Sequence, residues 1–240
     1  MPGPTAHIWL VDVDDEAATA RALTLLPAPE VDRLSAVVAP LRPQRLCAQA
    51  ALRALVADAI GSTPLMVQLE RDGHGKPYLV GDSGLHLNLA HSGKYAMVSL
   101  TMAGPTGVDV ELPRAVSGLR SLARTMLADR EYHWWCQLVE PAASEVLFRS
   151  WTYKEAVLKA LGLGLSGDLR AVSTRPGSDG QPVLETLPVG ADPPTQWTLR
   201  DLSTECHVPA AVAIAAPQVE IQFHRALIGD LYPRDGKSPA

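Results

Sequence analysis

The stretch Phe148-Arg149-Ser150-Trp151-Thr152-Tyr153-Lys154-Glu155-Ala156-Val157-Leu158-Lys159-Ala160-Leu161-Gly162-Leu163-Gly164-Leu165 reads as most of a long helix that stops abruptly. The pattern predicts a helix from about Ala142 to Leu161, closed by Gly162 in the usual place of a left-handed cap. Strands are expected after it at Leu169 to Thr174 and, past an Asp179-Gly180 turn, at Val183 to Thr186, Trp197 to Leu202 and Val208 to Ala215.

The same order of elements occurs earlier in the chain. Leu46, Ala50, Leu52, Leu55 and Ala59 recur near helical spacing from about Arg42 to Ile60, and Gly61 ends that helix. A strand at Leu65 to Arg71, a turn at Asp72-Gly73 and a returning strand at Pro77 to Val80 follow, then strands at Leu85 to Leu89 and Tyr95 to Thr101. Helix, hairpin and two more strands thus appear twice. This predicts an α+β chain built as a pseudo-two-fold pair of similar lobes, each a long helix packed on a small, mostly antiparallel sheet. The expected division is an N-terminal lobe over 1–104, a C-terminal lobe over 105–218 and a tail over 219–240; a single α+β domain with coincidental ordering is the alternative. Further helices are expected at Glu16 to Leu26, Glu30 to Ala36, Val116 to Leu127 and Arg130 to Val139. The segment after Pro217 reads as poor in strands, with a disordered end.

Bulk properties bound the function. The 240 residues carry a net charge of −5 and are 47% hydrophobic, which suits one large or two small globular domains and excludes a disordered chain. The acidic balance argues against a general nucleic-acid partner. Of the basic residues, sixteen are Arg and only five are Lys: Lys76, Lys94, Lys154, Lys159 and Lys237. The three cysteines, Cys47, Cys136 and Cys206, are widely spaced and form no C-x-x-C pair, so free buried thiols are expected. No signal-like N-terminus and no apolar run of about 20 residues is evident, which predicts a cytoplasmic protein with no membrane partner.

Gly162 to Gly167 matches G-x-G-x-x-G, with Glu185 near the distance of a ribose-binding acid. A dinucleotide loop follows a strand and opens a helix. Here the glycines close a helix and lead into a strand, so they read as a cap and a turn.

Two constellations carry chemistry. Gly107-Val108-Asp109-Val110-Glu111 sets two acids two residues apart in an apolar strand, so both face the same side and can meet one hard cation such as Mg²⁺. Such a pair is also the ordinary polar face of an edge strand. Glu155 and Lys159 stand four apart on the predicted helix, where a surface ion pair is the simplest role. Together, however, G-V-D-V-E followed about forty residues later by W-T-x-K-E-A-x-x-K-A-x-G-x-G-L resembles the Sfp-type 4′-phosphopantetheinyl transferases. Gly75-Lys76-Pro77 and Leu87-Asn88-Leu89-Ala90-His91-Ser92-Gly93 complete the resemblance in the family's order, which spans about Arg42 to Leu165.

The resemblance implies transfer of phosphopantetheine from coenzyme A to a serine of an acyl or peptidyl carrier protein, releasing 3′,5′-ADP. It implies Mg²⁺ held by Asp109, Glu111 and Glu155, with Glu155 also taking the serine proton. His91 is implied as a pyrophosphate donor, Ser92 as a phosphate contact, and Lys76 and Lys159 as cations on the coenzyme A phosphates, Lys159 among the catalytic residues. Arg45 is implied at the adenosine 3′-phosphate, assisted by Arg42 or Arg53. Lys154 belongs to the motif without a clear site role. Ala90 stands where the family usually has Ser, removing one hydroxyl. Residues Pro113 to Val139, with Arg114, Arg120, Arg124 and Arg130, occupy the region that meets an acidic carrier, and Trp134 or Trp135 adds apolar contact or core. A monomer is expected, since one chain builds both lobes. A metal-dependent coenzyme A pyrophosphohydrolase and a non-catalytic coenzyme A or carrier-binding protein are the competing readings.

Overall fold

A computed structural model describes residues 3–13, 16–81, 83–164 and 167–231. Leu165 and Lys237, and the chain end expected to be disordered, lie outside them. In the N-terminal half, strand β1 (Thr5–Asp12) precedes helices α1 (Glu16–Leu25), α2 (Ala28–Ser35) and α3 (Arg42–Ala59). The hairpin β2 (Leu69–Arg71) and β3 (Pro77–Leu79) follows, then β4 (His86–Ser92) and β5 (Tyr95–Thr101). In the C-terminal half, β6 (Thr106–Val110) precedes α4 (Leu119–Met126), α5 (Asp129–Trp135) and α6 (Ala142–Ala160). The hairpin β7 (Ser173–Pro176) and β8 (Pro182–Thr186), then β9 (Thr198–Asp201), the short α7 (Ser203–Cys206), β10 (Ala210–Ile214) and β11 (Glu220–Leu227) follow among the described residues.

The repeated order is visible in the sheets. One has strand order β11-β1-β5-β4 and the other β6-β10-β9, so β1-β5-β4 and β6-β10-β9 are the same antiparallel arrangement. The helices α3 and α6 also end alike. Gly61 and Gly162 take positive φ, 65° and 73°, and the following amides bond back five residues, Ser62 to Ala57 and Leu163 to Leu158. This double-bonded termination needs a left-handed residue that glycine adopts without a Cβ penalty. The G-x-G-x-x-G match is therefore a helix cap, as its order in the chain indicated.

Apolar residues divide the molecule into layers. Val11, Val98 and Leu100 face α1, α2 and α3, whereas Ile8, Leu10 and Met97 on the opposite face share a cluster with Val108, Val212 and Ile214 of the second sheet. That sheet's other face, Ala211 and Ala213, packs on Ala156, Val157 and Ala160 of α6. Small residues set the closeness of this last contact. A Cβ on Gly107 would lie 2.1 Å from the Ala156 carbonyl oxygen and 2.4 Å from the Ala160 amide nitrogen, and Ala213 is its partner across β6 and β10.

Side chains join the two sheets where their edges meet. Asn88 Oδ1 of β4 accepts the buried Val108 amide of β6 at 3.0 Å, and the Thr106 hydroxyl donates to Ser99 Oγ at 3.1 Å.

Several expectations need correction. The segment after Pro217 is not poor in strands: Glu220–Leu227 forms β11, parallel to β1 in unbroken register from Thr5 with Glu220 to Asp12 with Leu227. Its alternation is diluted by His224 and Arg225 on a half-covered edge, which hid it. The strand expected from Leu65 begins at Leu69, because residues 64–66 form a turn, and Leu169–Ala171 is a 3-10 turn ahead of β7. The helix expected to reach Val139 ends at Trp135.

Gly107→Ala forces a side chain into backbone that has no rotamer to yield. It is expected to cost at least about 1–3 kcal/mol, the usual range for overpacking. Denaturant unfolding of the purified variant measures this; unchanged stability would show that α6 is free to shift outward.

Candidate active site

The halves meet at a cleft of about 280 Å³ whose lining includes Arg33, Arg45, Gln49, Arg71, His74, Lys76, Asn88, His91, Glu155 and Lys159. Helices α2 and α3 supply Arg33, Arg45 and Gln49, the β2–β3 hairpin Arg71, His74 and Lys76, β4 Asn88 and His91, and α6 Glu155 and Lys159. Cations dominate this wall. Desolvation, followed by the Arg45 and Lys159 charges, holds His91 below the ordinary imidazole value, which favours its neutral form.

The acids gather beside Lys159. Asp109 of β6 is 5% exposed, and its Oδ1 accepts from Lys159 Nζ at 2.5 Å, while Oδ2 is buried with no partner among the described residues. Burial pushes the Asp109 carboxyl up to about 7; Lys159 opposes the shift, and the charges of Glu111 and Glu155 add to it. Glu155, 7% exposed, is also raised by burial, with Lys159 opposing and Glu111 adding. Glu111 lies one residue beyond β6, where its amide donates to Pro209 O at 2.9 Å. Its carboxylate accepts from Ser92 Oγ at 3.1 Å, and that hydroxyl also accepts the Leu112 amide.

Among the described residues no three His, Cys, Asp or Glu side chains are close enough to hold an ion as they are placed. The ammonium of Lys159 sits on Asp109 instead. The donor set nonetheless fits a hard divalent cation: three carboxylates, of which buried Asp109 feels the charges of Glu111 and Glu155 and keeps one orphaned buried oxygen.

Other implied residues are placed differently. Arg53 is 5% exposed and does not line the cleft, because it donates to Glu30 Oε2 at 2.6 Å and to the Pro64 and Val67 carbonyls at 2.7 Å each. Arg42 likewise turns back to the Ser35 and Val37 carbonyls. Lys76 lines the cleft, but its ammonium donates to the carbonyls of Thr106, Lys159 and Ala160 at 2.7–3.0 Å, capping the C-terminus of α6. All three of its donors are thereby used, and burial lowers it to about 8. Ser92 is committed to Glu111 and Leu112 rather than free for phosphate. Lys154 is fully buried, donating to Glu131 at 2.7 Å and to the Leu169 and Val172 carbonyls; its role is to fix α6.

The sequence reading did not single out Arg33, Gln49, Arg71 or His74. Arg71 and His74 both lie just ahead of G-K-P, and Gln49 follows Arg45 by one helical turn. Asn88 was quoted within its motif without a role; here it bridges the sheets.

Comparison with known proteins shows the family. Residues 105–216 match the 4′-phosphopantetheinyl transferase superfamily. The 4′-phosphopantetheinyl transferase HetI of Nostoc sp. is 30% identical over 218 residues, covering 87% of each chain. A putative 4′-phosphopantetheinyl transferase of Synechocystis sp. is 32% identical over 172 residues, covering 70% of each. A 4′-phosphopantetheinyl transferase of Bacillus subtilis is 28% identical over 59% of this chain and 62% of its own. The chain belongs to the 4′-phosphopantetheinyl transferase superfamily, and it is a transferase of the phosphopantetheine group.

The raised carboxyl has a pH signature. Unfolded, Asp109 titrates near 3.8; folded, it does so near 7. Between those values the folded chain holds a proton that the unfolded chain has released, so this group lowers stability as pH rises through the window. In chelator-containing buffer, the melting temperature of Asp109→Asn relative to the unsubstituted protein is expected to climb from about pH 4 to 7 and then level off. A difference constant across that range would contradict the shift.

Proposed function

We propose that this protein is an Sfp-type transferase that moves the 4′-phosphopantetheine arm of coenzyme A onto a serine of an acyl or peptidyl carrier protein, releasing 3′,5′-ADP. The observation that carries the reading is the buried Asp109 carboxyl, with one orphaned oxygen and within the influence of the Glu111 and Glu155 charges, beside a cation-lined cleft. Asp109, Glu111 and Glu155 are the residues to hold Mg²⁺. When bound, that ion supplies charge stabilisation at the pyrophosphate oxygens and orients the scissile phosphorus.

The chain's own groups do the rest. Arg45 and the neighbouring cations of the cleft bind the donor phosphates, and neutral His91 offers a hydrogen bond to the pyrophosphate. Lys159, which lines the cleft beside Asp109, is the cation assigned to the charge that develops on the leaving group. The serine oxygen attacks the phosphorus carrying pantetheine, the bond from that phosphorus to the departing 3′,5′-ADP oxygen breaks, and Glu155 takes the serine proton. Burial raises its proton affinity, the direction that favours a general base. Arg114, Arg120, Arg124 and Arg130 are exposed on the segment ahead of α6 and suit an acidic carrier. Trp134 is exposed beside them, whereas Trp135 is core, its indole donating to Ala143 O at 2.8 Å.

Both halves contribute cleft residues, which supports a monomer as the working unit. Three free cysteines support a reducing compartment such as the cytoplasm, and among the described residues no helix is long and apolar enough to cross a membrane.

Incubation with coenzyme A, Mg²⁺ and apo carriers of fatty-acid, polyketide and nonribosomal-peptide type is expected to add the phosphopantetheine mass to at least one carrier. Glu155→Gln should lower kcat by about 10²–10⁴-fold with the fold intact by circular dichroism. Failure on every carrier would overturn transfer, and 3′,5′-ADP release without any carrier would point to the hydrolase.

A further inference from the structure

His7 and His224 stand on neighbouring strands, β1 and β11, at a distance from each other in sequence of 217 residues. Their nitrogens, Nδ1 of His7 and Nε2 of His224, are 3.2 Å apart. Trp9 stacks on both rings, with centroids 5.0 Å from His224 and 5.7 Å from His7. The register explains the grouping: His7 pairs with Gln222 and Trp9 with His224, so all four side chains project from one face. Trp9 is partly buried against the helical core, and the two imidazoles are half-buried at its margin. None of these residues lines the cleft between the halves.

We propose that His7 and His224 form a surface site for a late first-row divalent ion, Zn²⁺, Ni²⁺ or Cu²⁺, that clamps the last strand to the first. Two imidazole nitrogens each about 2.0–2.1 Å from a tetrahedral ion lie about 3.3–3.4 Å apart, so the observed spacing is a chelate bite. Imidazole suits these ions and not Mg²⁺, which separates this pair from the carboxylates in the cleft. Burial and the neighbouring His7 also hold His224 below the ordinary imidazole value, favouring the neutral, ligating form. Trp9 fixes the orientation of both rings, as an outer contact does for a metal-binding histidine. No third His, Cys, Asp or Glu joins the pair among the described residues, so water completes the coordination and the ion exchanges readily.

The test is titration of the whole protein with Ni²⁺ and Cu²⁺ in excess Mg²⁺, followed by calorimetry and tryptophan emission. One equivalent is expected to bind and to quench Trp9. His7→Gln and His224→Gln should each weaken binding at least about tenfold. Trp9→Phe should remove the quenching while leaving the stoichiometry unchanged, and transfer activity should be unaffected in the histidine variants. A Zn²⁺ titration of the unsubstituted protein, read from its histidine ring resonances by NMR, gives an answer that does not depend on any variant folding. Shifts confined to the His7 and His224 rings support the site. No binding, binding unchanged in either histidine variant, or shifts located elsewhere would reduce the pair to a hydrogen bond.

Discussion

The near-contact of two backbones at Gly107 governs the rest of the arrangement. Because that residue has no side chain, the last turns of α6 rest directly on β6, with Ala156 and Ala160 against Gly107 and Ala213. At that separation Lys159 reaches Asp109, and the charge of Glu155 adds to the rise of the Asp109 carboxyl. Lys76 then reaches across from the other half to the exposed carbonyls at the end of α6. A bulkier strand would separate helix and sheet and leave the same charged groups too distant to cooperate.

Like residues serve opposite ends depending on where their hydrogen bonds go. Lys154 and Lys159 come from one motif and one helix, but Lys154 is sealed among Glu131 and two carbonyls, whereas Lys159 holds a single carboxylate at the edge of the cleft. Arg53 and Arg45 divide in the same way on α3. A buried cation with every donor satisfied is costly to disturb and has nothing left for a ligand. One with open valences can exchange partners; in the cleft Arg45 and Lys159 are of that second kind, whereas Lys76 is of the first.

The duplicated order was legible because glycine terminators and alternation are local signals. Gly61 and Gly162 marked both helix ends, and Tyr95–Thr101 was bounded correctly from its pattern alone. Membership of the transferase superfamily was legible from short motifs whose residues lie in fixed order along the chain. What escaped was set by distant neighbours. β11 exists because β1 offers it an edge, which no window around Glu220–Leu227 records. Arg53 looked available for phosphate until Glu30 and two loop carbonyls closed around it. Ser92 looked free until Glu111 proved to be its neighbour across the seam. Spacing shows which face a residue takes on its own element; the hydrogen-bond partner comes from elsewhere.

The parallel pairing of β1 with β11 bears on how the chain is born. Residues Thr5 to Asp12 leave the ribosome well before their partners Glu220 to Leu227, so one edge of β1 waits while about 215 further residues are made. Until then β1 has an unpaired flank, and the pairing that covers it carries the largest loop-closure cost among the described strand pairs. The N-terminal half therefore takes an edge strand of its sheet from the other half of the chain. Closure of its sheet is a late, long-range event, and a chain cut short before Glu220 would display an exposed strand edge of the kind that invites misassociation.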